Sequence, residues 1–149
     1  MGSPPAVRSP DDPCGSGLVI DAGVAAEMTA HCLRVFPEEG CGLLAGNGSP
    51  SRVVSCLPVR NEAASARFYA LDPEDHLRAD RAAEAAGLEI IGVFHSHTHT
   101  DAYPSATDVE MAPDPAWHYV LVSLRAEVPS IRSFRIADQV VEEEPLVFG

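Results

Sequence analysis

Apolar positions recur along this chain in two rhythms. Over residues 22–36, AGVAAEMTAHCLRVF, Ala25, Met28, Cys32 and Val35 fall three or four apart, the spacing that lines one face of a helix. Asp21 suits the N-cap and Pro37 ends the run, so a first helix is expected there. The rhythm then shortens. Residues 41–45 and 52–59 are apolar or β-branched stretches separated by Gly46, Asn47, Gly48, Ser49 and Pro50, which predicts a hairpin. Residues 67–71 read as a further short strand, and Asp72 with Pro73 opens an alanine-rich helix that ends at Gly87.

Residues 89–95, EIIGVFH, read as a strand that runs into the polar loop SHTHTDAYP, after which Ser105 opens a brief helix. Residues 117–124 and 131–136 read as two more strands joined by a loop containing Pro129, with residues 142–144 forming an acidic tail. Residues 1–17 are rich in proline and glycine and poor in apolar side chains, and read as a disordered N-terminal tail. The remaining residues, 18–149, form one domain without internal repeats. Helices interspersed with strands in this order agree with an α/β (α+β) fold.

Composition narrows the functions. Ten basic against 22 acidic residues give a net charge of −12, which repels phosphate backbones and anionic lipid, so neither nucleic acid nor membrane is an expected partner. The sequence has no long apolar run and no signal-peptide core, so a cytoplasmic location is expected. Cys14, Cys32, Cys41 and Cys56 include no CxxC pair and read as reduced thiols, three of them small core side chains. Cys41, in GCGLLAG, is the one thiol with a setting that suggests a nucleophile, but no base or helix start is placed beside it.

His95 and His97, two apart at the end of an extended segment, leave the backbone on one face and can converge on one ion. Asp108 follows His97 after ten residues, across a loop that can fold back. Two imidazoles and one carboxylate make a three-ligand site with a position open for water, as catalytic zinc sites have. Ser105 and Asp108, spaced S-x-x-D, also read as a capping box, and its helix start is a place to stabilise an oxyanion. The same ligand types suit a non-haem iron enzyme, although an all-β chain with a nearer carboxylate would be expected there. His99, His118 and Asp101 read as surface residues, with His99 near enough to touch substrate.

Together these residues resemble the JAMM (MPN-type) zinc metallopeptidases, whose signature is H-x-H, seven residues, S-x-x-D, with a Glu upstream in E-x-x-G-L-L. His95, His97, Ser105 and Asp108 match it, and PEEGCGLLAG puts the Glu at Glu39 rather than Glu38. Asn61 is similar to a recurrent Asn of the family. The resemblance implies a cytidine-deaminase-like fold with a mixed sheet flanked by helices, one zinc held by His95, His97 and Asp108, Glu39 as proton acceptor for the attacking water, and Ser105 as oxyanion donor.

Thr98 stands where the family usually has Pro, and FHSHTHTDAYPSATDVEMA with HYVLVS looks most like the actinobacterial CysO-cysteine peptidases. That likeness implies hydrolysis of the amide joining cysteine to the C-terminal Gly-Gly of a ubiquitin-like sulfur-carrier protein, or trimming of residues after Gly-Gly. A family scaffold without catalysis is the remaining alternative, and the oligomeric state stays open.

Overall fold

The computed structural model describes residues 17–149, so the expected tail, Gly17 excepted, and Cys14 lie outside the described residues. In chain order the elements are β1 (Leu18–Ile20), α1 (Ala22–Val35), β2 (Cys41–Gly48), β3 (Ser51–Val59), α2 (Pro73–Ala85), β4 (Glu89–His97), α3 (Ala106–Glu110), β5 (His118–Ser123), β6 (Ser130–Ala137), β7 (Val140–Glu144) and β8 (Leu146–Phe148). The eight strands form one sheet in the order β7-β6-β5-β4-β2-β3-β1-β8. It is mixed: β4 and β5 run parallel, as do β1 with β3 and β1 with β8, and the other neighbours are antiparallel.

Alternation along the central strands sends side chains into two cores, one on each face. Leu44, Phe94, Val120 and Val122 pack with Val24, Met28 and Cys32 of α1. Leu43, Val93, Leu121 and Phe134 pack with Ala79 of α2 on the opposite face. The expected mixed sheet flanked by helices is therefore what forms.

The pairing of β2 with β4 slips between Leu44 and Ala45: Leu44 faces Gly92 and Ala45 faces Ile90, leaving Ile91 as an extra residue. Such a bulge shifts the in-and-out phase of every residue beyond it. Ile90 packs on the α2 face, Ile91 on the α1 face, and after the bulge Val93 returns to the α2 face. Gly92 is required at this point, because a Cβ there would lie 2.5 Å from the His118 carbonyl oxygen of β5.

Several expectations are corrected. Asp21 is the N-cap of α1 as expected, but its side chain makes no cap bond; its carboxylate instead pairs with Arg52 at 2.6 Å. Residues 67–71 form no strand and keep only a single bridge, Asn61 to Leu71. Residues 142–144 are not a tail but belong to β7, where Glu143 pairs with Arg132 at 2.6 Å. His118 is not a surface residue: it is 4% exposed, its Nδ1 donates to Glu144 Oε2 at 2.6 Å and its Nε2 lies 3.0 Å from Ser51 Oγ. β1 and β8 are additional strands that close the far edge of the sheet.

Candidate active site

β4 carries His95 and His97 out of the centre of the sheet on the face that α2 covers. Both are buried, and so is Asp108, the third residue of α3. The ligand atoms of the three lie within 4.8 Å of one another. Asp108 Oδ2 is 2.9 Å from His97 Nε2 and 3.2 Å from His95 Nε2, and the two Nε2 atoms are 3.3 Å apart. His97 Nδ1 donates to the Asp101 carbonyl at 2.8 Å, which fixes the tautomer and leaves Nε2 free to ligate. Tyr69 stacks on the His95 ring at a centroid distance of 4.2 Å.

Asp108 reaches this place because the capping box is real. Ser105 Oγ accepts from the Asp108 backbone N–H at 3.1 Å, and Asp108 Oδ2 accepts from the Ser105 N–H at 2.8 Å. Capping and site geometry thus use the same atoms. Burial pushes the Asp108 carboxyl up, but its hydrogen bonds to His95 and His97 outweigh that and hold it well below the usual carboxylate range. Burial lowers the His95 pKa, only partly offset by Asp108. For His97 burial also opposes the charged form, yet Asp108, the Asp101 carbonyl and Glu39 together raise its pKa.

Glu39 sits on the residue pair that leads into β2, and both neighbours of its peptide are pinned. Its N–H donates to the Ser65 carbonyl at 2.7 Å, and Gly40 N–H donates to Ser96 Oγ at 2.8 Å. Asn61 Nδ2 donates to the Glu39 carbonyl at 3.0 Å, while Asn61 Oδ1 accepts from the Ala63 and Ala70 N–H groups. The side chain of Glu39 is 3% exposed and its Oε1 has no hydrogen-bond partner. Burial raises its pKa to about 8, with His97 pulling it down and Asp108 pushing it up. Glu39, His97 and Ser105 line one cleft of about 510 Å³, together with Ala66, Arg67 and His99. Glu38 is exposed and lies outside that cleft.

Two imidazole nitrogens and a carboxylate oxygen, buried and converging, fit a divalent metal, and the unpartnered Glu39 oxygen marks a polar atom still owed a partner there. Of the remaining sequence candidates, Cys41 does not join them: its thiol donates to the Val59 carbonyl at 3.4 Å, and burial pushes its pKa up to about 12. Asp101 is exposed and pairs with Arg125 at 2.7 Å. Its contribution to the site is a backbone carbonyl, which no residue-type pattern could reveal. His99 is exposed on the cleft wall, as expected.

Comparison with known proteins agrees with this geometry. Residues 21–137 match the family described as prokaryotic homologs of the JAB domain. The chain is 45% identical over 130 residues to the CysO-cysteine peptidase of Mycobacterium tuberculosis, covering 87% of this chain and 89% of the relative. A solution structure of protein DSY2949 from Desulfitobacterium hafniense superposes with a TM-score of 0.82 at 33% identity, over 89% of this chain and 92% of that one. A JAB1/MPN domain protein from Archaeoglobus fulgidus, AF2198, superposes at 0.58 with 16% identity over 90% and 98% of the two chains, a likeness of fold alone. The chain belongs to the prokaryotic homologs of the JAB domain and is a hydrolase of the JAB type.

Proposed function

We propose that this hydrolase is a zinc-dependent peptidase that cuts the amide bond after the C-terminal glycine of a ubiquitin-like sulfur-carrier protein, releasing cysteine or trimming residues after Gly-Gly. The observation that carries the reading is the buried, unpartnered Glu39 Oε1 beside the converging atoms of His95, His97 and Asp108. The relative named as a CysO-cysteine peptidase supports the substrate class. A cytoplasmic setting suits three cysteines that are free thiols.

Zinc held by His95, His97 and Asp108 would supply Lewis acidity toward the scissile carbonyl and the attacking water. Glu39 takes the proton of that water, its carboxylate buried beside the site with Oε1 free of any hydrogen-bond partner. The same proton passes to the departing amine as the C–N bond breaks, so one water is divided between the carrier's new carboxylate and the released amine. Ser105 Oγ accepts from Asp108 N–H, which leaves its own hydrogen to donate to the carbonyl oxygen as charge develops. His97 is kept oriented by the Asp101 carbonyl.

The test joins elemental analysis to mass-spectrometric cleavage of a carrier–cysteine adduct. About one zinc per chain is expected for a three-ligand catalytic site. Wild type should release cysteine, and Glu39→Gln should keep the metal while turnover falls roughly 10²- to 10⁴-fold. Glu38→Gln should behave as wild type. Normal turnover by Glu39→Gln would remove the assigned base. Protein that takes up no metal would favour a scaffold, and stoichiometric iron an oxygenase.

A further inference from the structure

We infer that Arg67 is the specificity determinant of this cleft, its guanidinium receiving the free α-carboxylate of the amino acid that leaves. The inference rests on the peptidase reading above and names which amine the site prefers. Arg67 lines the same cleft as Glu39, His97 and Ser105. Its backbone is fastened on both sides of that cleft: Glu39 N–H donates to the Ser65 carbonyl at 2.7 Å and Thr98 Oγ1 donates to the Ala66 carbonyl at 3.2 Å. Arg67 N–H itself donates to Ser65 Oγ at 3.0 Å, and Asn61 Nδ2 donates to the Phe68 carbonyl at 3.2 Å. The attachment point of the side chain is fixed, and the residue is exposed.

What singles it out is charge. Arg52, Arg60, Arg78, Arg125 and Arg132 each engage a carboxylate within 3.1 Å. Among the described residues Arg34, Arg67, Arg81 and Arg135 make no ion pair, and of these four only Arg67 lines the cleft. The chain has no lysine, so arginine is its only side chain with a permanent positive charge. The cleft otherwise presents Glu39, with Asp108 behind it, on a chain of net charge −12, a setting that repels an anionic product. A planar guanidinium pairs with a carboxylate through two parallel N–H···O bonds.

The chemistry of the leaving amine gives this a use. When a single amino acid is cut from a carrier's glycine, water adds to the carbonyl carbon, the C–N bond breaks, and the amine departs with a carboxylate one carbon from its nitrogen. An ε-amine of a lysine within a conjugated protein has no carboxylate at that distance. Arg67 therefore favours release of a terminal amino acid over cleavage of a protein conjugate.

The experiment uses the zinc-loaded full chain and a sulfur-carrier protein ending in Gly-Gly-Cys, prepared as the free acid and as the C-terminal carboxamide. Wild type should prefer the acid by roughly 10- to 100-fold in kcat/KM, the range of a hydrogen-bonded charged contact. Arg67→Ala should erase that preference by slowing the acid alone, and Arg67→Lys should restore part of it. Calorimetric binding of the two adducts to Glu39→Gln, in which turnover is slowed as above, should show the same preference. Equal rates on acid and amide by wild type would overturn the inference, as would equal slowing of both by Arg67→Ala, which would mark a role in holding the loop. Failure of wild type to cut either adduct would overturn the peptidase reading and the inference with it.

Discussion

A carboxylate that is buried, beside a basic imidazole and without a donor of its own, is poised between two charge states, and Glu39 is such a group. Its pKa is raised from the ordinary 4.5 to about 8, so between those values the folded chain binds a proton that the unfolded chain has released. Stability must then fall as pH rises through that window. Metal-free wild type should lose melting temperature from pH 5 to pH 8 relative to metal-free Glu39→Gln, which has no proton to release there. Parallel curves in scanning calorimetry would show that Glu39 does not titrate in this range. Asp108 has the opposite sign: held low by His95 and His97, it stabilises the fold above the ordinary carboxylate range, and that contribution is lost in strong acid. A metal held as proposed would add positive charge beside both groups and favour the ionised form of each.

At the scale of elements, α3 has only five residues and depends on its cap. Ser105→Ala removes the acceptor for Asp108 N–H and should cost about 1 kcal/mol in denaturant unfolding. It also removes the donor assigned to the carbonyl oxygen, so kcat should fall roughly 10²-fold. A variant that loses stability while kcat stays unchanged would leave Ser105 as a cap only. The S-x-x-D spacing made both uses readable from the sequence, since hydrogen bonds three residues apart are local. The hairpin of β2 and β3 and the helix α2 were legible for the same reason: Ser49, Pro50, Asp72 and Gly87 act on their own neighbourhoods, and Gly87 adopts φ 75° at the helix end. Residues 67–71 misled because their backbone is claimed by a distant group, Asn61 Oδ1, which accepts from Ala70 N–H at 3.0 Å. β7 misled because the partners that satisfy its acids, Arg132, Ser133 and His118, lie on β6 and β5.

For the whole molecule, His118 links three parts of the chain that periodicity cannot connect: the tip of the β2–β3 hairpin through Ser51, the start of β5, and the end of β7 through Glu144. It sits at the opposite end of the β4–β5 pairing from His95 and His97, opposite Gly92, while His97 lies opposite Ser123. His118→Ala leaves the Glu144 carboxylate without its imidazole partner in a dry setting and should destabilise the protein by about 2–3 kcal/mol. Turnover per folded molecule should be unchanged. Equal unfolding midpoints for variant and wild type would show that the network adds nothing to stability. The convergence of three side chains, by contrast, was legible in the sequence, because β4 places His95 and His97 by strand alternation and the short α3 supplies Asp108. Glu39 is different in kind: only its peptide's attachments to Ser65, Asn61 and, through Gly40, Ser96 explain why it, and not Glu38, is turned inward.

The extra residue at Ile91 has a consequence that reaches beyond the sheet's shape. It makes the odd-numbered residues beyond it, His95 and His97 among them, face α2, whereas strict alternation from Ile90 would have turned them toward α1. Possession of the site is therefore a matter of parity, fixed by how many residues lie between the start of β4 and its histidines. Substitution scans leave that number untouched however many positions they cover. For this strand, the length of an insertion or deletion, odd or even, carries functional information that the identity of the residues does not.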